Sequence, residues 1–358
     1  MGRRFRGSTL RIILRILQGG YGQVANTQTA NEEVRLPDAT SRNSSENVYS
    51  GEMLRATSSS NAPLEIIATV KGPAIYLDNH SFINLERNAV LRRRFTAVLQ
   101  HGADLLFSIA NAIEATRAEG ESSQSAKSFL NEIGAHWFPL EMLPNIAIAR
   151  EQGGKVVPDS CIAEDFLKAF MNLHRSGSGE ILILSDDFFR LGVLIDDWIK
   201  PHRESLASSL RKNDARLIES IIQLRRDCQR HPDSLDRAFP AIPFSASAPV
   251  TFTYVNLMRQ LILNKGHNLK KGDGIDFCHA VMGAACASVM TLDKHWKPYM
   301  EMLPQPNQLA RVYGASELES LIRDVETFLQ HANPMMPTGT INRSHVEAPR
   351  MERDSKAP

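Results

Sequence analysis

The stretch from Asp276 to Asp293 (DFCHAVMGAACASVMTLD) constrains the fold more than any other part of the chain. Phe277–Ala287 is a run of small and apolar residues that reads as a helix. Ser288–Leu292 is a short apolar run that reads as a buried strand. A carboxylate stands at each end. Pro73–Leu77 (PAIYL) is a second such strand, and it too stops on a carboxylate, Asp78. Short apolar runs without alternation suit parallel strands covered on both faces.

Around these strands apolar residues recur at helical spacing. Phe82–Gln100 and Ser125–Gly134 read as helices, and Asp104–Thr116 as a strand running into a helix or as helix throughout. Trp137–Leu140 is a short extended piece. Glu164–His174, Phe188–Lys200, Leu206–Gln229 and Tyr254–Asn264 carry amphipathic spacing, with a turn-rich break at Pro240–Pro249. Lys297–Leu303 is a short helix, Arg311–Tyr313 a final strand, and Glu317–Gln330 a closing amphipathic helix. No internal repeat is visible. The alternation predicts an α/β fold, a parallel sheet with helices on both faces. Its two parts, 66–149 and 269–331, are separated by a helical insertion over 150–268.

The ends have a different character. Residues 1–65 are rich in Asn, Ser, Thr, Ala and Glu, and 332–358 resemble them, so both are expected to be disordered. Within Met1–Gly20, Arg11 and Arg15 interrupt the only apolar run, which favours a basic amphipathic helix over an export signal.

A chain of 358 residues that is 42% hydrophobic can bury a substantial core. Its 41 basic and 40 acidic residues leave a formal charge of +1, which argues against a polybasic nucleic-acid coat but not against a local basic groove. Cys161, Cys228, Cys278 and Cys286 lack C-x-x-C spacing and read as reduced core thiols, which favours the cytoplasm. No stable membrane association is expected.

The carboxylates carry the functional argument. In a doubly wound sheet the ligand crevice lies at the carboxyl ends of the strands, where Asp78 ends the first strand. A helix of about 12 residues starting at Asp276 falls about 18 Å, and the following strand climbs about 16 Å. Asp293 thereby returns to the level of Asp276. Like charges that gather raise one another's pKa, and a hard divalent cation such as Mg²⁺ or Mn²⁺ relieves the repulsion. Taken singly, each acid reads as a turn residue or helix cap; their joint placement favours a site.

The segments YLDNH at Tyr76–His80 and IDFCHAVMGAACASVMTLDK at Ile275–Lys294 resemble the first and last acidic motifs of PIN-like nucleases. In that family a strand ends in Asp, and later an Asp opens an alanine-rich helix leading to a strand that closes with T-x-D, as Thr291-Leu292-Asp293 does. The resemblance covers about 70–145 and 270–330. It implies a PIN-like fold and an endoribonuclease that cleaves RNA phosphodiester bonds with Mg²⁺ or Mn²⁺. Asp78, Asp276 and Asp293 would be metal-binding carboxylates, and Glu114 in SIANAIEAT the fourth acid. Single-stranded RNA is the expected substrate, a toxin or defence nuclease is one biological setting, and a protein regulator and a homodimer are left open. The alternative is a catalytically silent PIN-like or helical protein-interaction module.

Several neighbours are candidates for supporting roles. Asn79 follows Asp78 and could bond a carboxylate. His279 lies one turn beyond Asp276 and could orient it or meet a phosphate. Thr291 could support Asp293, and Lys294 could touch phosphate. Arg92, Arg93 and Arg94 form a run that reads as a solvated face or as a phosphate contact. Asp186–Asp187 and Asp196–Asp197 are a competing metal site, because Glu180–Leu184 reads as a strand ending near acids.

Overall fold

The computed structural model describes residues 47–50, 54–59, 62–68, 70, 72–116, 121–164, 166–167, 190–304 and 306–332. The basic segment 1–20, the tail beyond 332, the 180–184 strand and Asp186–Asp187 lie outside the described residues.

Strands β1 (Asn47–Ser50), β2 (Leu54–Ser59) and β3 (Ala62–Ala68) form a separate antiparallel sheet in that order. This corrects the expectation of disorder over the last part of 1–65. The runs NVYS, LRATSS and APLEIIA hold enough Val, Tyr, Thr and Ile to favour extended backbone, and their pairing supplies the hydrogen bonds that composition does not reveal.

The main sheet begins with β4 (Ala74–Tyr76). Two helices follow, α1 (Asn79–Arg87) and α2 (Ala89–Gln100). The expected single helix over 82–100 is therefore broken at Asn88, which leaves helical geometry with ψ 94° and caps α2 by accepting from the N–H groups of Val90 and Leu91. Next come β5 (Asp104–Ser108), α3 (Ile109–Ala115), α4 (Glu121–Ile133), β6 (Trp137–Leu140) and α5 (Pro144–Gln152). Then α6 (Leu191–Leu194) passes through a π-helical turn (Ile195–Ile199) into the long α7 (Lys200–Arg230). After α8 (Ser234–Ala238) and α9 (Pro249–Leu263), α10 (Asp273–Cys286) leads to β7 (Val289–Thr291). α11 (Lys297–Glu301), β8 (Arg311–Tyr313) and α12 (Leu318–Ala332) complete the fold.

The five strands run in the order β6-β5-β4-β7-β8, and every neighbouring pair is parallel. All residues of β4, β5, β6 and β7 are buried, as a sheet covered on both faces requires. The expectation of an α/β architecture with a parallel sheet is thus met. The chain moves outward from β4 to β6, then returns to lay β7 on the other side of β4. That reversal is where such sheets open a crevice beyond the strand ends.

The helices pack as two groups. One contains α1, α2, α4 and α12, the other α5, α7, α9, α10 and α11, and β7 touches a member of each. Helix α10 lies close on the sheet because residue 283 is glycine: a Cβ there would stand 2.7 Å from both Met290 Cε and the Tyr76 ring. The helices of the 150–268 stretch are not an appendage. α7 and α9 pack directly on α10, and their buried apolar residues belong to the same core as those of the sheet.

Cys161 and Cys286 are joined as a disulfide, while Cys228 and Cys278 are free. This corrects the reading of four reduced thiols and removes that argument for a cytoplasmic location. The two bonded residues lie 125 apart in the chain, a pairing that spacing alone does not disclose. Among the described residues no helix is long and apolar enough to cross a membrane.

Candidate functional site

Three connections lock the carboxyl edge of the sheet. At the first, Thr291 at the end of β7 accepts a hydrogen bond from the Asp78 N–H (2.9 Å) and donates its hydroxyl to Asp78 Oδ1 (3.0 Å), clamping the ends of β4 and β7 together. At the second, Ser108 and Asn111 form a capping box that starts α3 straight after β5. The Asn111 amide also donates to the Leu77 carbonyl at 3.1 Å, which holds α3, the carrier of Glu114, beside the end of β4.

The third connection comes from α7. Asp214, only 4% exposed, accepts the N–H groups of Gly272, Gly274 and Ile275 at 2.9, 2.9 and 3.3 Å. It caps the start of α10 from a different helix, satisfying N–H groups that have no partner within α10. Gly272, with φ +103°, occupies the cap position itself. Eleven residues further along α7, three turns on and so on the same face, Arg225 donates to the Leu261, Asn264 and His267 carbonyls at the end of α9 and just beyond. Helix α7 therefore grips the connection between α9 and α10 by opposite charges at the ends that each helix dipole favours.

The acids act on Asp276 in the frame so built. The Asp276 carboxyl is pushed up from 3.8 to about 7, first by burial and then by the negative charges of Asp273, Glu114, Asp293 and Asp78. The charges of Asp78, Glu114 and Asp293, the three other acids anticipated from sequence, thus reach Asp276, and each of the four charges raising its carboxyl is negative. By surface area Asp276 is itself an exposed residue, so water screens much of this repulsion. Asp273, three residues before Asp276 and on the same helical face, was not anticipated, although the D-x-x-D spacing was the signal for it.

Individual roles differ from several expectations. Asp78 is the N-cap of α1, accepting from Ser81 N–H at 2.9 Å, so the ordinary structural role is real and one carboxylate oxygen is engaged. Asp276 is not an N-cap; it lies in the first turn of α10. Asp293 is exposed, and its Oδ1 accepts the His295 N–H at 2.8 Å, as a turn residue does. Thr291 serves Asp78 rather than Asp293. His279 is not at the site. It is 7% exposed, packs against the Tyr76 ring with centroids 5.6 Å apart, and burial pushes its pKa down to about 4. It lies on the buried side of α10, against the sheet. Asn79 is the first residue of α1, and Lys294 is exposed beside Asp293.

The rival features are accounted for otherwise. Arg92 pairs with Glu132 (3.1 Å), and Arg94 grips Glu326 with two nitrogens and approaches Glu319. These two arginines fasten α2 to α4 and α12. Asp196 is neutralised by Lys127 and Lys200.

As donors, carboxylate oxygens suit Mg²⁺ or Mn²⁺. In spacing the fit is incomplete: among the described residues no three Asp, Glu, His or Cys side chains stand close enough to hold one ion. No family model matches this chain, and no curated protein or solved structure matches it significantly.

Proposed function

We propose that this chain is a metal-dependent endoribonuclease of PIN-like type. Asp78, Asp276 and Asp293 would hold Mg²⁺ or Mn²⁺, with Glu114 completing the set and Asp273 adding to its charge. One observation carries the reading: the negative charges of Asp78, Glu114 and Asp293, from three other parts of the chain, join that of Asp273 in raising the Asp276 carboxyl at the switch point of a parallel sheet. A divalent cation bound there would supply a lowered-pKa water and charge stabilisation for a phosphodiester. The chain's own part is to hold the acids in place: Thr291 fixes Asp78, Asn111 fixes the helix of Glu114, and Asp214 fixes the start of the Asp276 helix. Single-stranded RNA is the proposed substrate, and a toxin or defence setting, a protein regulator, a homodimer and a cytoplasmic location belong to the same proposal.

The test is calorimetric titration with Mn²⁺ together with cleavage of end-labelled single-stranded RNA. Binding and cleavage in the wild type, both lost in Asp276→Asn, are the expected results. No Mn²⁺ binding at millimolar concentration and no cleavage would defeat the proposal. A specific observation favours a second reading, a catalytically silent domain used for protein interaction: Asp78 Oδ1 already accepts two hydrogen bonds, and no three ligands are in place for one ion. That reading expects the wild type to bind no cation.

A further inference from the structure

The connection from α9 to α10, residues 264–272 (NKGHNLKKG), is exposed yet held from many sides. Arg225 binds its Asn264 and His267 carbonyls, at 3.1 and 2.8 Å, and Asp214 binds its Gly272 N–H. The Asn264 amide donates to Tyr299 Oη at 2.8 Å, and Asn264 Oδ1 accepts the Gly266 N–H at 3.1 Å. The His267 ring sits edge-on to Trp296 and Tyr299, with centroids 6.1 and 5.5 Å away. Trp296 and Tyr299 begin the segment just after Asp293, so these contacts bring the loop alongside the Asp293 turn. On its other side the loop joins the acids directly: Lys270 N–H donates to Asp273 Oδ2 at 2.6 Å, and His267 Nε2 lies 3.5 Å from the same oxygen.

What this fixed loop presents to solvent is positive charge. Lys265, Lys270 and Lys271 are exposed, and so is Lys294 across the gap beside Asp293. None of the four takes part in an ion pair among the described residues, whereas Arg92, Arg94, Lys127, Lys200 and Lys297 all do. In a chain of formal charge +1, four uncommitted lysines on two segments that flank an acidic edge are a local arrangement that overall composition conceals. A flexible loop would lose ordering entropy on every ligand contact; one held in place beforehand does not. Several exposed lysines carried by two segments suit a chain of phosphates, each of which one ammonium can meet, better than a single anion.

We infer that the Asn264–Gly272 loop and Lys294 form the track along which the phosphate backbone of single-stranded RNA lies beside the acid set. Lys265, Lys270, Lys271 and Lys294 are positioning residues that act on the backbone, whereas the acids act on the bond. The inference rests on the nuclease reading, but its test reads binding without turnover.

Fluorescence anisotropy of a labelled single-stranded RNA, measured with the full chain in EDTA over a range of salt, compares the wild type with the variant Lys270→Ala/Lys271→Ala/Lys294→Ala. The expected result is binding weakened by roughly tenfold or more, with the slope of log affinity on log salt smaller by about 2 for three lost phosphate contacts. Lys270→Arg/Lys271→Arg/Lys294→Arg restores affinity, because it keeps the charge and replaces only its carrier. Unchanged affinity and slope in the alanine variant would overturn the inference, as would a wild type that binds no RNA. Equal affinity for an RNA duplex would overturn the single-strand assignment. Mn²⁺ titration separates the two proposals. Lysine-dependent RNA binding without Mn²⁺ binding leaves the track standing and defeats the nuclease, whereas Mn²⁺-dependent cleavage with an unchanged KM in the alanine variant does the reverse.

Discussion

Asp214 Oδ1 accepts the Gly274 N–H at 2.9 Å across 60 residues of chain, and this contact sets where the acidic helix begins. The fit leaves no room: a Cβ at position 274 would stand 2.8 Å from Asp214 Oδ1 and 2.9 Å from its backbone oxygen. Asp214→Ala should cost about 1–3 kcal/mol, because buried N–H groups lose their acceptor. Gly274→Ala should cost a similar amount by pushing the two helices apart. Urea denaturation measures both. If Asp214→Ala matches the wild type in stability, the cap does not hold the helix.

Gly283 permits the other contact that positions α10. Gly283→Ala would press a methyl group against the buried Tyr76 ring and the Met290 tip, each 2.7 Å away. The methionine end can move, but Tyr76 is fully buried and fixed by its strand. A loss of about 1–3 kcal/mol is expected from such overpacking. Thermal melts of the variant would show it, and an unchanged Tm would mean that the helix shifts on the sheet at no cost.

Two central strands were readable because PAIYL and SVMTL are short, largely apolar runs that stop on acids; 104–116 could be read as strand into helix or as helix throughout, and its strand shows only in the pairing. That Asp78, Asp276 and Asp293 share one edge followed from chain direction, since parallel strands and descending helices return to it; Glu114 came only from the resemblance. What sequence could not disclose depends on contacts between distant residues. Asp214 sits in a long charged helix and looks like any solvated acid, and only its neighbour α10 makes it a cap. Thr291 seemed to belong with Asp293 because both lie in one motif, but the strand ends at Thr291 and Asp293 lies beyond it in an exposed turn, so the hydroxyl meets Asp78 at the end of the neighbouring strand instead. Likewise, His279 shares a helical face with Asp276 by spacing, yet α10 is so close to the sheet that one turn is enough to bury it.

Thr291 offers a direct check on that clamp. Thr291→Val keeps the shape but removes the hydroxyl that both accepts from and donates to Asp78. Thr291 is fully buried, so the Asp78 N–H would be left without its acceptor, at a cost of about 1–3 kcal/mol. Thr291→Ser should recover most of the loss. A valine variant as stable as the wild type would show that water replaces the hydroxyl freely, and that the strand ends are not tied through it.

The strongest pH prediction concerns Asp276. Its carboxyl is raised from 3.8 to about 7 in the folded protein, so the folded state binds this proton more tightly than the unfolded one. The stability it contributes is therefore fully present below about pH 4, and is lost progressively as pH rises through 7. Asp276→Asn cannot ionise and escapes that loss. In EDTA the variant should be more stable than the wild type at pH 8, with the gap closing as pH falls toward 4. A shift of about three units corresponds to roughly 4 kcal/mol, but Asp276 has exposed surface, and solvent screening reduces the expected gap to about 1–2 kcal/mol. Mn²⁺ should narrow or reverse the gap by stabilising only the wild type. Denaturation at pH 8 and pH 5, with and without Mn²⁺, supplies all four numbers. A wild type and variant of equal stability at pH 8 in EDTA would mean that the acids are too far apart to repel, and with that the case for a cation between them would fall.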